Sequence, residues 1–408
     1  MIFYVGGPFG IETTVRAGGS FFAILGFILF TFIWSVPEAL VTAELGSTYP
    51  DSSGGVAWVE RAFGKKASFI MGYLSWVSGA TDNAIYPVLF LVYLKKLVHP
   101  NETSDNDDVS IDENEVLRAI FLILTSTILT GINYLGLEIV GNLSIVIAIL
   151  SLSPFVVMCA VGVFQVEPRR WLEFSSAGAY KFQFDDDNGN VGFDDDGSTT
   201  NTFGSIHFPN YFNVIWRPFL NNLFWNLNSF DAGAQFSKDV KDLKTVYADG
   251  MKLSIVFVAF TYIITLLIAT GAVESKQEDW VDGYLVTIGM EIVGPWLGTA
   301  LVVAIGISNI SLFMAELSAD SYQIMGMAER GLLPKIFAAR SRFGTPKYGI
   351  LTCYLVILLM SFSDFNELIQ VMNFFYSISL MMEYAAFIKL RMMNEDRKFL
   401  FNTFIFAF

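Results

Sequence analysis

Long apolar stretches alternate with short polar ones along the whole chain, and the stretches have the length, ~20 residues, that a helix needs to cross hydrocarbon. Apolar runs set between polar breaks predict ten helices, at about 1–17, 20–46, 67–97, 116–135, 138–164, 213–236, 251–273, 285–325, 348–363 and 366–391. The eighth is too long for one straight span, so part of it should be a flanking turn or an interfacial helix. The pattern is that of an all-α polytopic membrane protein, and a composition of 53% hydrophobic and 16% charged residues agrees. The opening has neither the basic flank nor the small-residue cleavage pattern of a signal peptide. Apolar character at Met1, and again over 399–408, predicts a chain clipped within a helix at each end. Cys159 and Cys353 both sit inside apolar stretches, which argues against a disulfide framework or a metal site.

Charge placement orients the spans. The net charge of -14 excludes a nucleic-acid partner, and most of the excess acid lies in "NETSDNDDVSIDENE", "FDDDNGNVGFDDDGS" and "ESKQEDWVDG". Basic residues cluster elsewhere, around Arg61, Lys65 and Lys66, Lys238 to Lys244, Arg330 to Lys347, and Lys389 to Lys398. A cytoplasmic N-terminus places every basic cluster inside, as the positive-inside rule prefers, and all three acidic loops outside. Residues 165–212 are then an acidic extracellular loop, and 392–408 a cytoplasmic tail with the start of a truncated segment. The sequon at Asn101 also falls outside and is a glycosylation candidate; those at Asn142 and Asn309 fall within spans. The acidic loops read first as solvated surface and second as a funnel for cations.

Two of the spans cannot be continuous helix. "GGPFG", residues 6–10, places glycines and a proline within the first, where Gly weakens a helix and Pro removes a donor and clashes with the preceding turn. Unwound backbone at membrane depth survives only where protein buries it or a cavity uses it. The sixth span carries "NNLFWNLNSFDAGAQ", whose asparagines compete for backbone hydrogen bonds, with Gly233 and an acid, Asp231, beside them. Interrupted helices in matching positions of two halves frame the midplane site of many transporters. Simple helix packing through small residues is the bland alternative for either stretch taken singly.

The blocks "GGPFGIE", "WSVPEALVTAELG", "DNAIYPVLFLVYL", "LFWNLNSFD", "AELSADSYQIMGMAERGLLPKIFAARSRFGTPKYGI" and "NFFYSISLMMEYAAFIKLR" run from residue 6 to 391. In them the chain resembles the amino acid, polyamine and organocation (APC) superfamily, and within it the plant and protist polyamine/proton symporters related to the L-type amino acid transporters. The resemblance implies a LeuT-like 5+5 inverted-repeat core over 1–391, with repeats at 1–164 and 213–391 and alternating access around the first and sixth helices. It implies secondary active transport of a small amine, with a proton as coupling ion, in the plasma membrane or an endomembrane. It departs from the family pattern at Met314 and near Met372, where that pattern carries Glu.

The identity of the cargo is argued from charge. Amino acid transporters of this fold hold the substrate carboxylate on free half-helix N-termini. Here Glu12 follows the break, where it would compete for those donors and attract an ammonium. An ionised acid at the bilayer centre costs roughly 2.5–3.5 kcal/mol, so each embedded acid is a functional candidate. Glu12, Asp82 and Asp231 are the preferred ammonium ligands, and Glu12, Glu38 and Asp231 the candidates for proton coupling. Glu38 reads equally as a staple for a kink at Pro37. For Glu316 and Asp320, pairing with the cytoplasmic basic loop weighs at least as much as binding, and Glu44, Glu138 and Glu383 lie near span ends where they could face water.

Gly6, Gly7 and Gly10 at the first break, and Trp225, Asn226, Asn228 and Phe230 at the second, complete the candidate site with Tyr86 and Tyr376. Its aromatics suit alkylammonium groups. No cofactor is implied, and no oligomeric state. An L-type-like amino acid transporter and a nontransporting amine or amino acid sensor are the competing readings. A channel lacks a pore-lining ring, and an enzyme lacks any nucleotide loop, zinc spacing or nucleophile motif.

Overall fold

The computed structural model describes residues 7–8, 10–98, 115–172, 214–240, 243–363 and 365–393. Gly6, His99, Asn101, His207 and the first two acidic loops therefore lie outside the described residues. The helices, in chain order, are α1 (Glu12–Phe30), α2 (Val36–Thr48), α3 (Gly55–Phe63), α4 (Lys65–Val98), α5 (Glu115–Leu135), α6 (Leu137–Gly162), α7 (Trp216–Asn226), α8 (Ala248–Ala272), α9 (Tyr284–Ile292), α10 (Pro295–Glu329), α11 (Lys347–Met360) and α12 (Phe365–Met393). Among the described residues, six helical stretches are long and apolar enough to cross a membrane. Large apolar side chains such as Phe32, Ile33, Leu124, Ile149, Leu253 and Leu359 are exposed on the bundle's outside. A helical bundle with such a surface is an integral membrane protein, because contiguous exposed apolar area is tolerated in lipid and not in water.

Local sequence sets the interruptions. The first two expected helices meet inside α1 at Gly19, whose non-helical φ of 76° and ψ of 170° divide it into two helical pieces; that φ lies on the left-handed side that glycine adopts most readily. A π-helical turn, Thr31–Ser35, then leads into α2 at Pro37, whose missing N–H is tolerated in a first turn. The long eighth span divides at Gly294 (φ 133°) into α9 and α10, and Pro295 opens the second of these. The short helix α3 was not expected from the apolar pattern.

α10 is buried along most of its length and packs against α4 and α6, while α4 also packs against α12. These helices enclose the site.

One end of the bundle is closed by charge. Arg330, just past α10, bonds Glu60 of α3 at 2.9 Å and Asp51 at 3.2 Å, and its Nε donates to Ser53 Oγ at 3.2 Å. The acids that engage this loop among the described ion pairs are Asp51, Glu60 and, through Arg340 at 3.5 Å, Glu329, not Glu316 or Asp320. Arg330→Ala is expected to destabilise the protein by about 1–3 kcal/mol, since a partly buried guanidinium is lost from two carboxylates. A thermal denaturation midpoint in detergent equal to that of the native chain would contradict this.

Candidate functional site

Each interruption frees peptide groups, and side chains from other helices take them up. At the first break Gly10 N–H donates to Glu12 Oε2 at 2.9 Å, and Gly10 O accepts from Asn226 Nδ2 at 3.2 Å. The second break lies between α7 and a 3₁₀ segment, Asp231–Asp239, and is marked by Ser229 at φ 70°. Ser35 Oγ donates to Leu227 O at 2.7 Å, Ser229 N–H donates to the Tyr376 hydroxyl at 3.0 Å, and Phe230 N–H donates to Glu38 Oε1 at 2.6 Å. The two breaks adjoin. Asn226 ties them by a hydrogen bond, and the Trp225 ring rests on Gly10, where a Cβ would come within 2.7 Å of it.

Glu12 is fully buried and is not among the residues that line the cavity described below. Its second oxygen accepts from Gly283 N–H at 3.2 Å, in the connection before α9. The expectation that it competes for freed peptide donors matches this geometry. The expected cavity shared with Asp231 does not include it in its lining; its two oxygens accept from Gly10 and Gly283 N–H.

The other expected acids do converge. Asp82 accepts from Trp225 Nε1 at 3.0 Å and from the Tyr86 hydroxyl at 3.2 Å. Asp231 Oδ1 lies 2.5 Å from the Tyr376 hydroxyl, which also lies 2.9 Å from Glu38 Oε1. Glu38 is therefore not a staple within its own kinked helix; its partners are on the sixth and tenth spans. A lone hydroxyl proton cannot serve both carboxylates, so the set Glu38–Tyr376–Asp231 has a place for one further proton. Glu38 Oε2 is buried without a hydrogen-bond partner, a position that costs less for a neutral carboxyl than for a charged one.

Asp82, Asp231 and Tyr376 line a cavity of about 30 Å³ together with Glu316, Asp320, Gln235, Gln323, Ser75 and Ser78. Lys and Arg contribute nothing to its described lining. At ~10–15 Å³ per water the cavity has room for about two or three waters, and an occupant the size of a polyamine requires the surrounding helices to part. Gly7, Glu12, Tyr86, Trp225, Asn226, Asn228 and Phe230 stand behind this lining or apart from it. Asn228 bonds the Ser229 hydroxyl, Phe230 packs beside Ala39 and Tyr247, and Trp76 donates to Cys353 Sγ at 3.2 Å.

The sequence reading set Glu316 and Asp320 aside, yet both are buried in the cavity wall. The signal was available: Glu316, Asp320 and Gln323 repeat at i, i+4, i+7 on α10, and Ser75, Ser78 and Asp82 at i, i+3, i+7 on α4, so each polar stripe shares one helix face. Glu44 and Glu383 are likewise buried and do not face water, Glu44 lying 3.8 Å from Arg391 Nε. The Glu138 side chain lies outside the described residues.

An all-helical membrane bundle with two adjoining interrupted helices and a buried polar cavity beside them is a secondary-transporter architecture. The chain belongs to the amino acid permease family, whose model, described as Amino acid permease, matches residues 1–408. Polyamine transporter RMV1 of Arabidopsis thaliana is 37% identical over 394 residues, which cover 96% of this chain and 71% of that one. Polyamine transporter PUT1 of Oryza sativa subsp. japonica is 38% identical over 398 residues, 97% of this chain and 66% of the relative. A solved Na+-coupled sialic acid symporter, in a substrate-bound outward-open state, is similar at 12% identity and a TM-score of 0.44, over 94% of this chain and 78% of that one. The APC resemblance read from the sequence blocks is borne out by the family match and these transporter relatives, and the chain is a transporter, not an enzyme.

Proposed function

We propose that the protein moves polyamines of the putrescine and spermidine class across a membrane by alternating access, coupled to protons. The observation that carries this reading is the cavity wall itself: four buried acids, Asp82, Asp231, Glu316 and Asp320, with no basic side chain among its described lining. An ammonium supplies the positive charge and the three donors such a wall lacks. The names of the relatives point the same way. An amino acid carboxylate fits less well, because Glu12, Tyr376 and Glu38 already occupy the freed peptide N–H groups at Gly10, Ser229 and Phe230.

In this reading Asp231, which lines the cavity, meets an ammonium, and Glu38, behind it, carries the proton. Tyr376 then donates to Asp231 and accepts from Glu38, and the neutral Glu38 carboxyl lowers the cost of its unpartnered Oε2. Glu12 serves as a fixed tie between the first break and the connection before α9 and is not a ligand. Residues 1–164 and 213–391 act as the two repeats, the N-terminus is cytoplasmic, and the plasma membrane is the favoured location. An inward-negative potential contributes roughly 2.3 kcal/mol per charge per 100 mV, about 7 for a triply charged amine.

The test is uptake of radiolabelled putrescine and spermidine into proteoliposomes. Saturable uptake accelerated by an acid exterior is expected, with Asp231→Asn and Asp82→Asn each lowering it at least ~30-fold, as the loss of ~2 kcal/mol from a buried ion pair predicts. Displacement of both amines by excess leucine would replace this reading with the amino acid one.

A further inference from the structure

A further acid is buried outside the cavity, on the way to the closed end of the bundle. α12 carries Tyr376, the hydroxyl between Glu38 and Asp231, and Glu383 follows seven residues on, so the two share a helix face roughly 10 Å apart along the axis. Glu383 is 2% exposed, is not among the residues that line the cavity, and lies within electrostatic reach of both Asp231 and Glu38. The part of α12 beyond it shares a hydrophobic core with α3 and the end of α2, through Phe387, Leu390, Trp58 and Leu45. α3 in turn carries Glu60, a partner of Arg330. Glu383 therefore stands between the site and the end that Arg330 closes.

Two glycines make room for polar groups there. A Cβ at Gly55 of α3 would overlap the Glu383 carboxylate, and one at Gly46 of α2 would come within 2.7 Å of the Tyr247 hydroxyl. Tyr247 ends the π-helical turn before α8, is 2% exposed, and keeps its hydroxyl buried with no hydrogen-bond partner among the described residues. It lies within electrostatic reach of Asp231 and Glu383 alike. A buried hydroxyl that donates to nothing is costly, and a carboxylate on either side could accept from it. Tyr376 and Tyr384 of α12 are also within reach of Glu383, and Arg391 follows two turns on, 3.8 Å from Glu44. α3 and α4 meet this part of α12 with Gly55 and Met71, which carry no charge.

We propose that Glu383 is the proton-release group of the transport cycle. The proton leaves the Glu38 carboxyl by way of the Tyr247 hydroxyl, binds the Glu383 carboxylate, and passes to water when the end held by Arg330 opens. Glu38 is left as a carboxylate, Tyr247 accepts one proton on its oxygen as it gives up its own, and Glu383 returns to a carboxylate once water has taken the proton. The inference rests on the proton-coupled reading above and adds to it the route by which the proton leaves.

The experiment compares two modes of spermidine transport in the same proteoliposomes. Net uptake driven by an acid exterior requires the proton to be released inside. Counterflow, in which labelled spermidine exchanges for an unlabelled internal load at equal pH, completes its cycle with the proton still bound. Glu383→Gln, which mimics the protonated acid, is expected to lower net uptake about 100-fold, as loss of a positioned proton-transfer group does, and to keep counterflow within about twofold of native. Glu383→Asp should restore most of the net uptake. Tyr247→Phe, which removes a hydroxyl with no partner to lose, should lower net uptake severalfold with counterflow intact. If Glu383→Gln does not fold, the ratio of the two modes in Tyr247→Phe decides alone. A parallel fall of both modes in a folded Glu383→Gln, or an unchanged ratio in either variant, overturns the route and leaves polyamine transport intact. A native chain whose uptake is not quickened by an acid exterior overturns proton coupling and the route with it.

Discussion

Tyr376→Phe should lower the initial rate of spermidine uptake about 100-fold at undiminished abundance in the membrane, and should remove its acceleration by an acid exterior. The hydroxyl is the junction of three groups: it lies 2.5 Å from Asp231 Oδ1 and 2.9 Å from Glu38 Oε1, and it accepts Ser229 N–H at 3.0 Å. Removing it orphans a peptide donor at the second break and separates two buried carboxylates that had shared a proton path. Each unsatisfied buried group costs about 1–3 kcal/mol, and two such losses amount to roughly two decades in rate. A merely structural role for Tyr376 would slow uptake at every pH alike. The split readout therefore matters: a Phe variant that is slow yet still quickened by an acid exterior would separate the tyrosine from proton coupling. A rate within threefold of native would remove it from the site.

How far the sequence disclosed this arrangement depended on the range over which each signal acts. The breaks were legible because Gly7, Pro8 and Gly10, and the asparagines of 221–228, act through their own backbone. The choice of Asp82 and Asp231 as candidates followed from the cost of burying charge, which depends on depth alone, and both are buried in the cavity wall. What the sequence did not reveal was pairing across the fold. Glu12 and Gly283 are 271 residues apart, and nothing local tells the carboxylate to leave the cavity for a peptide N–H before α9.

Glu38 presented the same difficulty. A carboxylate one residue after a proline reads as a staple for its own helix, and only the π-helical turn before Pro37 aims Ser35 and Glu38 together at the freed groups Leu227 O and Phe230 N–H. Glu316 and Asp320 were undervalued for another reason. Their helix ends near a basic loop, and proximity in sequence to Arg330 suggested an ion pair that Asp51 and Glu60 in fact make. Weighing the i, i+4, i+7 stripe above that proximity would have grouped them with Gln323 on one face of α10 from the outset.

Gly10→Ala is expected to abolish uptake while the protein still folds, and a second glycine isolates the reason. Gly10 has φ 83° and Gly64, between α3 and α4, has φ 85° with ψ 178°, so alanine is strained at both, by about 1–3 kcal/mol. Their surroundings differ. A Cβ at Gly64 meets nothing within 4 Å, whereas at Gly10 it comes within 2.7 Å of Trp225 Cζ3. The indole must then move, and with it goes the 3.0 Å bond from Nε1 to Asp82, which leaves that carboxylate with Tyr86 alone among its two described donors. Overpacking adds about 1–3 kcal/mol, and loss of a hydrogen bond to a charged group a similar amount. Gly64→Ala should therefore lower the thermal midpoint through backbone strain yet transport normally once folded, while Gly10→Ala loses stability together with putrescine and spermidine uptake. The intrinsic fluorescence of Trp225, isolated by replacing the other tryptophans where the protein tolerates it, should change in the Gly10 variant and not in the Gly64 variant. Equal uptake by the two variants would mean that the contact between the breaks does not govern the acid cavity, and Trp225 would revert to a packing residue.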